Sequence, residues 1–178
     1  SEANATVSAP LAVQPTEGDI TAMLRSLRDS RNAEEAEASI KALVRSTDSR
    51  VMKSAKVRKS VTTKIVRQGG VAAIIVALEK WHEKSEDFSY HTLTLLVSIS
   101  KFVAKSRKLI ATIGCKTVLD TAKSYQDDYF MRGNILALLH NLSYEKDEST
   151  KQEVAADEYI DCVVETMKKW PDDSYIQS

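Results

Sequence analysis

Three stretches of the chain carry the same run of apolar positions. Val71, Ile74, Ile75, Leu78 and Trp81 form the first, Cys115, Val118, Leu119, Ala122 and Tyr125 the second, and Ile160, Val163, Val164, Met167 and Trp170 the third. In each, apolar residues fall at i, i+3, i+4 and i+7 and an aromatic closes at i+10, which is one face of an α-helix. The copies begin 44 and 45 residues apart. An earlier, divergent copy reads Ile20, Met23, Leu24, Leu27. A second helix follows: Leu93, Leu95, Leu96, Ile99 and Ser100 return 43 residues later as Leu136, Leu138, Leu139, Leu142 and Ser143, and the first unit offers Ile40, Leu43 and Val44. A shorter third helix is predicted at Val61, Ile65 and Val66, at Leu109, Ile110 and Ile113, and at Val154, Ala155 and Ala156. Gly69-Gly70 and Gly114 read as sharp turns out of that short helix, because glycine accepts the backbone angles that stop a helix.

A helical period near 44 residues lies in the range of stacked helical repeats. One such unit cannot bury both its faces, so stability requires units in series. The expected fold is all-α, with a leader over residues 1–18 and a helical repeat domain over 19–178. The approximate units are 19–70, 71–114, 115–158 and a partial 159–178.

The stretch from Gly133 to Ser143, with Ala137, Leu139, Asn141, Leu142 and Ser143 closing it, resembles the last helix of an armadillo repeat. Glu158 to Gln177 is similar to the linker and second helix of the next one. The resemblance implies an armadillo-type α-solenoid, a right-handed superhelix of about three repeats plus a partial C-terminal repeat. It also implies a protein-binding scaffold rather than an enzyme. Family members that hold extended peptides do so with a ladder of Asn residues, and Trp residues stand one turn earlier. Here only Asn141 matches the ladder; Ser98 and Ser46 occupy the other positions, and Ala137, Thr94 and Ala42 stand where Trp would. A nuclear-import adaptor reading basic signals is therefore not expected.

The candidate partner-binding residues on the concave side are Asn141, Asn134, Ser98, Thr94 and His91, since residues three and four apart share a helix face. Asn141 has two readings, a grip on a partner backbone or a brace between helices. Trp81, Tyr125 and Trp170 recur at one repeat position and read as packing anchors. His82, His91 and His140 lack metal-ligand spacing, and neither a phosphate-binding glycine loop nor a nucleophile–base pattern occurs. No cofactor, metal or catalytic residue is expected.

Charge changes the picture locally, not globally. The 178 residues carry 25 basic and 25 acidic side chains, so the formal net charge is zero. Yet Arg50, Lys53, Lys56, Arg58, Lys59, Lys64 and Arg67 run without an acid, and Lys101, Lys105, Arg107 and Lys108 follow one repeat later. Stacking would join them as a basic edge, with Arg50, Lys53, Lys56, Arg58, Lys59, Lys105, Arg107 and Lys108 as its candidates. Residues 144–174 are the opposite, with ten acids against four lysines. The expected partner is a protein, with an acidic segment suited to the basic edge. Nucleic acid is not the expected partner, because few aromatics interleave with the basic residues. Two alternatives stay open: a regulatory armadillo segment of a larger multidomain protein, and a nucleic-acid-binding α-solenoid using the basic stripe.

Two cysteines make no disulfide framework, and no apolar run is long enough to span a bilayer, so the cytoplasm, with the nucleus as alternative, is the expected location. Asn4 and Asn141 lie in glycosylation sequons, the second within a predicted packed helix. The final residues, with Ile176-Gln177, resemble the start of a further helix. An uncovered end face including Val163, Val164 and Met167 is expected there, and self-association through it follows unless it is capped.

Overall fold

Several of the helices begin where the sequence supplies a capping acceptor. Thr16 opens α1 (Glu17–Arg28): its hydroxyl accepts from the Asp19 amide, and the Asp19 carboxylate accepts from the Thr16 amide at 2.8 Å. This reciprocal cap starts the helix at Glu17, two residues before the expected boundary at Asp19. Asn32 caps α2 (Ala33–Thr47), Ser85 caps α5 (Glu86–Phe102) and Asp128 caps α7 (Tyr129–Ser143), each accepting from the amide three residues on. Asp173 does the same for the single turn α10 (Ser174–Gln177), accepting from Ile176 at 3.0 Å. The remaining elements are α3 (Ala55–Arg67), α4 (Gly70–Trp81), α6 (Ala104–Ser124), α8 (Glu148–Val154) and α9 (Asp157–Lys169).

The computed structural model describes residues 14–177, and the described residues are all-helical, without a strand. The expected leader falls mostly on residues 1–13, outside the described residues, as does the Asn4 sequon.

The helices meet their counterparts one period away. α1 packs on α4, α4 on α6 and α6 on α9; α2 packs on α5, α5 on α7 and α7 on α10. The short α8 packs on α6 and α7. Among the described residues every substantial contact joins helices within about one period. The side-chain hydrogen bonds tell the same story. Apart from Ser39 to Ser26 and Arg132 to Cys162, the long-range ones span between 39 residues (Lys108 to Asp147) and 51 residues (Gln68 to Glu17). The repeated apolar positions make the core: Ile20, Leu24, Ile40, Ile74, Leu78, Leu93, Leu96, Ile135 and Leu138 are fully buried. Each such side chain contributes about 1.5–3 kcal/mol by leaving water.

One expected turn is present and one is not. Gly69 lies between α3 and α4 with φ 72°, in the left-handed region that favours glycine, and the two helices meet at 76°. Gly114 does not make a turn. It lies within α6, which runs unbroken from Ala104 to Ser124 and fuses the expected short helix with the apolar run after it. A lone glycine weakens a helix without ending it, and here its missing side chain serves packing. A Cβ at Gly114 would lie 2.6 Å from Ile75 Cδ1 on α4.

Candidate interaction surface

The helix row α2–α5–α7 carries the predicted concave residues, and most of their polar atoms tie one helix to the next. Asn141 Nδ2 donates to the Val97 carbonyl at 3.2 Å and to Ser100 Oγ at 3.0 Å, bracing α7 on α5. Both amide hydrogens are thereby committed, which also leaves no place for a glycan on that nitrogen. Asn134 Nδ2 donates to Thr94 Oγ1 at 3.1 Å across the same two helices. The structure therefore joins Asn141, Asn134 and Thr94 into one inter-helix seam. Ser98 lies half-buried on the same helix as Thr94. His91 is half-buried and stacks edge-on against Tyr90. Its Nδ1 is buried without a hydrogen-bond partner. Burial foremost, and the Lys41 ammonium next, hold the imidazole below its ordinary pKa against the pull of Asp87 and Glu37.

The recurrent aromatics are anchored as their shared position suggests, each by a different contact. Trp81 is buried, with Lys80 over its ring. Tyr125 donates its hydroxyl to the His82 carbonyl at 2.5 Å, one repeat back. Trp170 is half-buried and meets Tyr129 edge-to-face at 5.7 Å.

A concavity lies where α5, α7, α9 and α10 adjoin. It measures about 810 Å³, and its apolar lining includes Leu136, Ala137, Ile160, Val164 and Met167. The repeat explains why it is apolar. Val71 and Cys115, equivalent to Ile160, are 0% and 5% exposed, whereas Ile160 is 49% exposed. Ile75 and Leu119, equivalent to Val164, are 3% and 4% exposed, against 39% for Val164. α6 packs on α4, and α8 and α9 pack on α6, while Ile160 and Val164 stay exposed. Ile176 of α10 fills one end of the groove and is itself buried. Val163, Val164 and Met167 had been expected on this face; Ile160 and Leu136 had not, although the repeat alignment already equated Ile160 with Val71. Beside the groove, Tyr90, Tyr129, Phe130 and Asn134 line a notch of about 260 Å³ that the sequence pattern did not single out.

One contact links the two basic stretches. The Arg58 guanidinium lies 5.5 Å from the ring of Phe102, at the end of α5. Half of the candidate residues are spent on structure. Arg50 pairs with Asp48 at 2.7 Å, Arg58 donates to the Met52 carbonyl, Arg107 to the Ser100 carbonyl, and Lys108 reaches Asp147 at 3.0 Å. Lys53, Lys56, Lys59 and Lys105 are exposed, and no carboxylate among the described residues pairs with them.

Sequence reasoning also missed Arg132, a guanidinium only 5% exposed. It donates to Cys162 Sγ at 2.9 Å and to the Gln126 carbonyl, with Glu165 3.7 Å away. Burial pushes the Cys162 thiol pKa up. Cys115 is buried too, and neither cysteine is in a disulfide. No three His, Cys, Asp or Glu side chains gather as metal ligands would among the described residues. No single described helix is long and apolar enough to cross a membrane. Comparison with protein-family models, with curated proteins and with solved structures finds no match to the chain.

Proposed function

We propose that the chain is a non-catalytic protein-interaction module of the armadillo type, in which units of three helices stack as a right-handed solenoid. Helix contacts limited to about one period support the stacking. The resemblance of Gly133 to Ser143 supports the family. In this reading α2, α5 and α7 line the concave side. The contact surface is the groove between α7 and α9, and the observation that carries it is the exposure of Ile160 and Val164 at positions that earlier units bury. Exposed apolar surface of this kind, rimmed by polar residues, marks interaction sites. The lysines at 53, 56, 59 and 105 offer a second, electrostatic contact for an acidic protein segment. The same reading places the protein in the cytosol or nucleus, in keeping with two buried thiols.

Affinity capture tests this, using the wild type beside Ile160→Ser/Val164→Ser and beside Asn134→Ala/Asn141→Ala. A partner held by the wild type and lost from the groove variant is the expected result. The same proteins recovered at the same yield on all three baits would overturn the groove as the contact surface. Binding to random RNA that falls steeply with salt and disappears on neutralising Lys56, Arg58 and Lys105 would instead assign the basic edge to nucleic acid.

A further inference from the structure

We infer that the notch between α5 and α7 takes an arginine side chain of a partner protein. This goes beyond the groove reading, since Tyr90, Phe130 and Asn134 line the notch and not the groove. The inference starts from the chain's own repeat. The N-caps Asn32, Ser85 and Asp128 align α2, α5 and α7 residue by residue. Glu37 and Lys41 stand five and nine positions after the cap of α2, and Asp87 stands two after the cap of α5. The Lys41 ammonium lies 2.5 Å from Glu37 and 3.8 Å from Asp87, so the seam between α2 and α5 holds a cation. The same three positions one unit on are Tyr90, Thr94 and Phe130. The built-in ammonium is gone, and aromatic rings replace the two carboxylates that held it. At that place lies the notch of about 260 Å³, lined by Tyr90, Tyr129, Phe130, Gly133 and Asn134.

The notch suits a cation again, by other means. The face of an aromatic ring is electronegative and attracts a guanidinium or ammonium within about 6 Å of its centroid. Tyr129 and Phe130 meet edge to face at 5.2 Å, and Tyr90 shares the notch with them from α5. Asp173 holds the Tyr129 ring by accepting from its hydroxyl at 3.0 Å. Asn134 adds an acceptor, and its neighbour fixes which way the amide points. Thr94 Oγ1 spends its one hydrogen on the Tyr90 carbonyl at 2.9 Å, so toward Asn134 it can only accept. Asn134 therefore turns its nitrogen to Thr94, and its Oδ1 accepts no hydrogen bond among the described residues. A guanidinium is flat enough to stack on a ring while donating to that oxygen. No charged side chain lines the notch. Lys41 is held by Glu37 and Asp87, and Arg50, whose charge reaches Tyr90, is held by Asp48 at 2.7 Å.

The position of Phe130 is an open one. Phe130 is 66% exposed, and the side chain of its counterpart Asp87 is 74% exposed although α7 packs on that helix. Tyr90, Tyr129 and Phe130 stand neither at the ladder positions nor one turn before them.

The test is an amide NMR titration of the isotope-labelled 178-residue chain. The ligands are the capped pentapeptide Gly-Gly-Arg-Gly-Gly and the same peptide with citrulline, a neutral isostere, in place of arginine. The arginine peptide is expected to shift the Asn134 side-chain amide and the backbone amides of Tyr90 and Phe130. It is expected to bind about fivefold more tightly than the citrulline peptide. Phe130→Leu keeps apolar bulk and removes the ring, and it is expected to erase that preference. The substituted side chain is exposed, so the circular dichroism spectrum stays that of the wild type. Ile160→Ser/Val164→Ser is expected to leave the titration unchanged. Equal binding of the two peptides, or no shift at these amides, overturns the proposal. So does a preference for arginine that survives Phe130→Leu, or binding that the groove variant abolishes.

Discussion

Gly114 and Ile75 offer a sharp test of how the units pack. An ideal Cβ at Gly114 falls 2.6 Å from Ile75 Cδ1 and 3.2 Å from its Cγ1. Carbon atoms rest at about 3.5–4.0 Å, so Gly114→Ala overlaps the Ile75 terminus by about 1 Å. Overpacking of this sort costs about 1–3 kcal/mol. The new alanine returns about 1 kcal/mol, because glycine is that much worse in a helix interior. Gly114→Ala alone therefore loses about 0–2 kcal/mol. Ile75→Val removes Cδ1, the atom in the way, and alone costs about 0.5–1.5 kcal/mol. In that background the alanine methyl enters the space that Cδ1 vacated. Cγ1, still 3.2 Å away, crowds the methyl far less than Cδ1 did, so the helix-propensity gain outweighs it and Gly114→Ala becomes stabilising by up to about 1 kcal/mol. The cycle should show a favourable coupling of about 1–3 kcal/mol.

Urea unfolding followed by far-UV circular dichroism on the wild type, both single variants and the double variant measures this coupling. Effects that add within about 0.5 kcal/mol would refute the close approach of α4 and α6. So would a Gly114→Ala chain more stable than the wild type by the full propensity gain.

Two further outcomes follow from single contacts. Tyr125→Phe removes the hydrogen bond to the His82 carbonyl and should cost about 1 kcal/mol; a urea midpoint equal to the wild type's would mean that the contact contributes nothing. For His91, burial holds the folded pKa below the unfolded value of about 6.5. Between those two values the unfolded chain binds more protons, so stability is present above the unfolded pKa and is lost as pH falls toward the folded one. The cations facing His91 are Lys41 and Arg45 on α2, opposed by Glu37 and by Asp87 on α5. His91→Gln should flatten the decline in urea midpoint between about pH 7 and pH 5, and an unchanged slope would contradict the assignment.

The local half of the fold was readable because its signals are local. Helix existence followed from apolar spacing, and helix starts coincide with Thr16, Asn32, Ser85 and Asp128, residues whose side chains accept a backbone hydrogen bond. Gly69 gave the expected turn because it precedes a second glycine at a helix stop. Gly114 misled because the sequence cannot say whether a glycine is there for its backbone freedom or for its missing Cβ. Only the approach of Ile75, 39 residues earlier, decides it. Arg132 was missed for a related reason. A charged residue on a helix reads as solvated, and its burial depends on Cys162 and Glu165, which lie on a different helix.

The candidate surface was half legible for a reason that belongs to repeats. Exposure at a repeat position depends on what lies one period later, not on the residue itself. Val71, Cys115 and Ile160 hold the same repeat position, yet the first two are buried and the third is exposed. The sequence thus reports where apolar surface is made, and the three-dimensional arrangement reports where it is left uncovered. The polar positions obey the same logic in reverse. Of the two readings of Asn141, the structure shows the brace: Val97 and Ser100 stand where α5 crosses α7 and take both of its hydrogens.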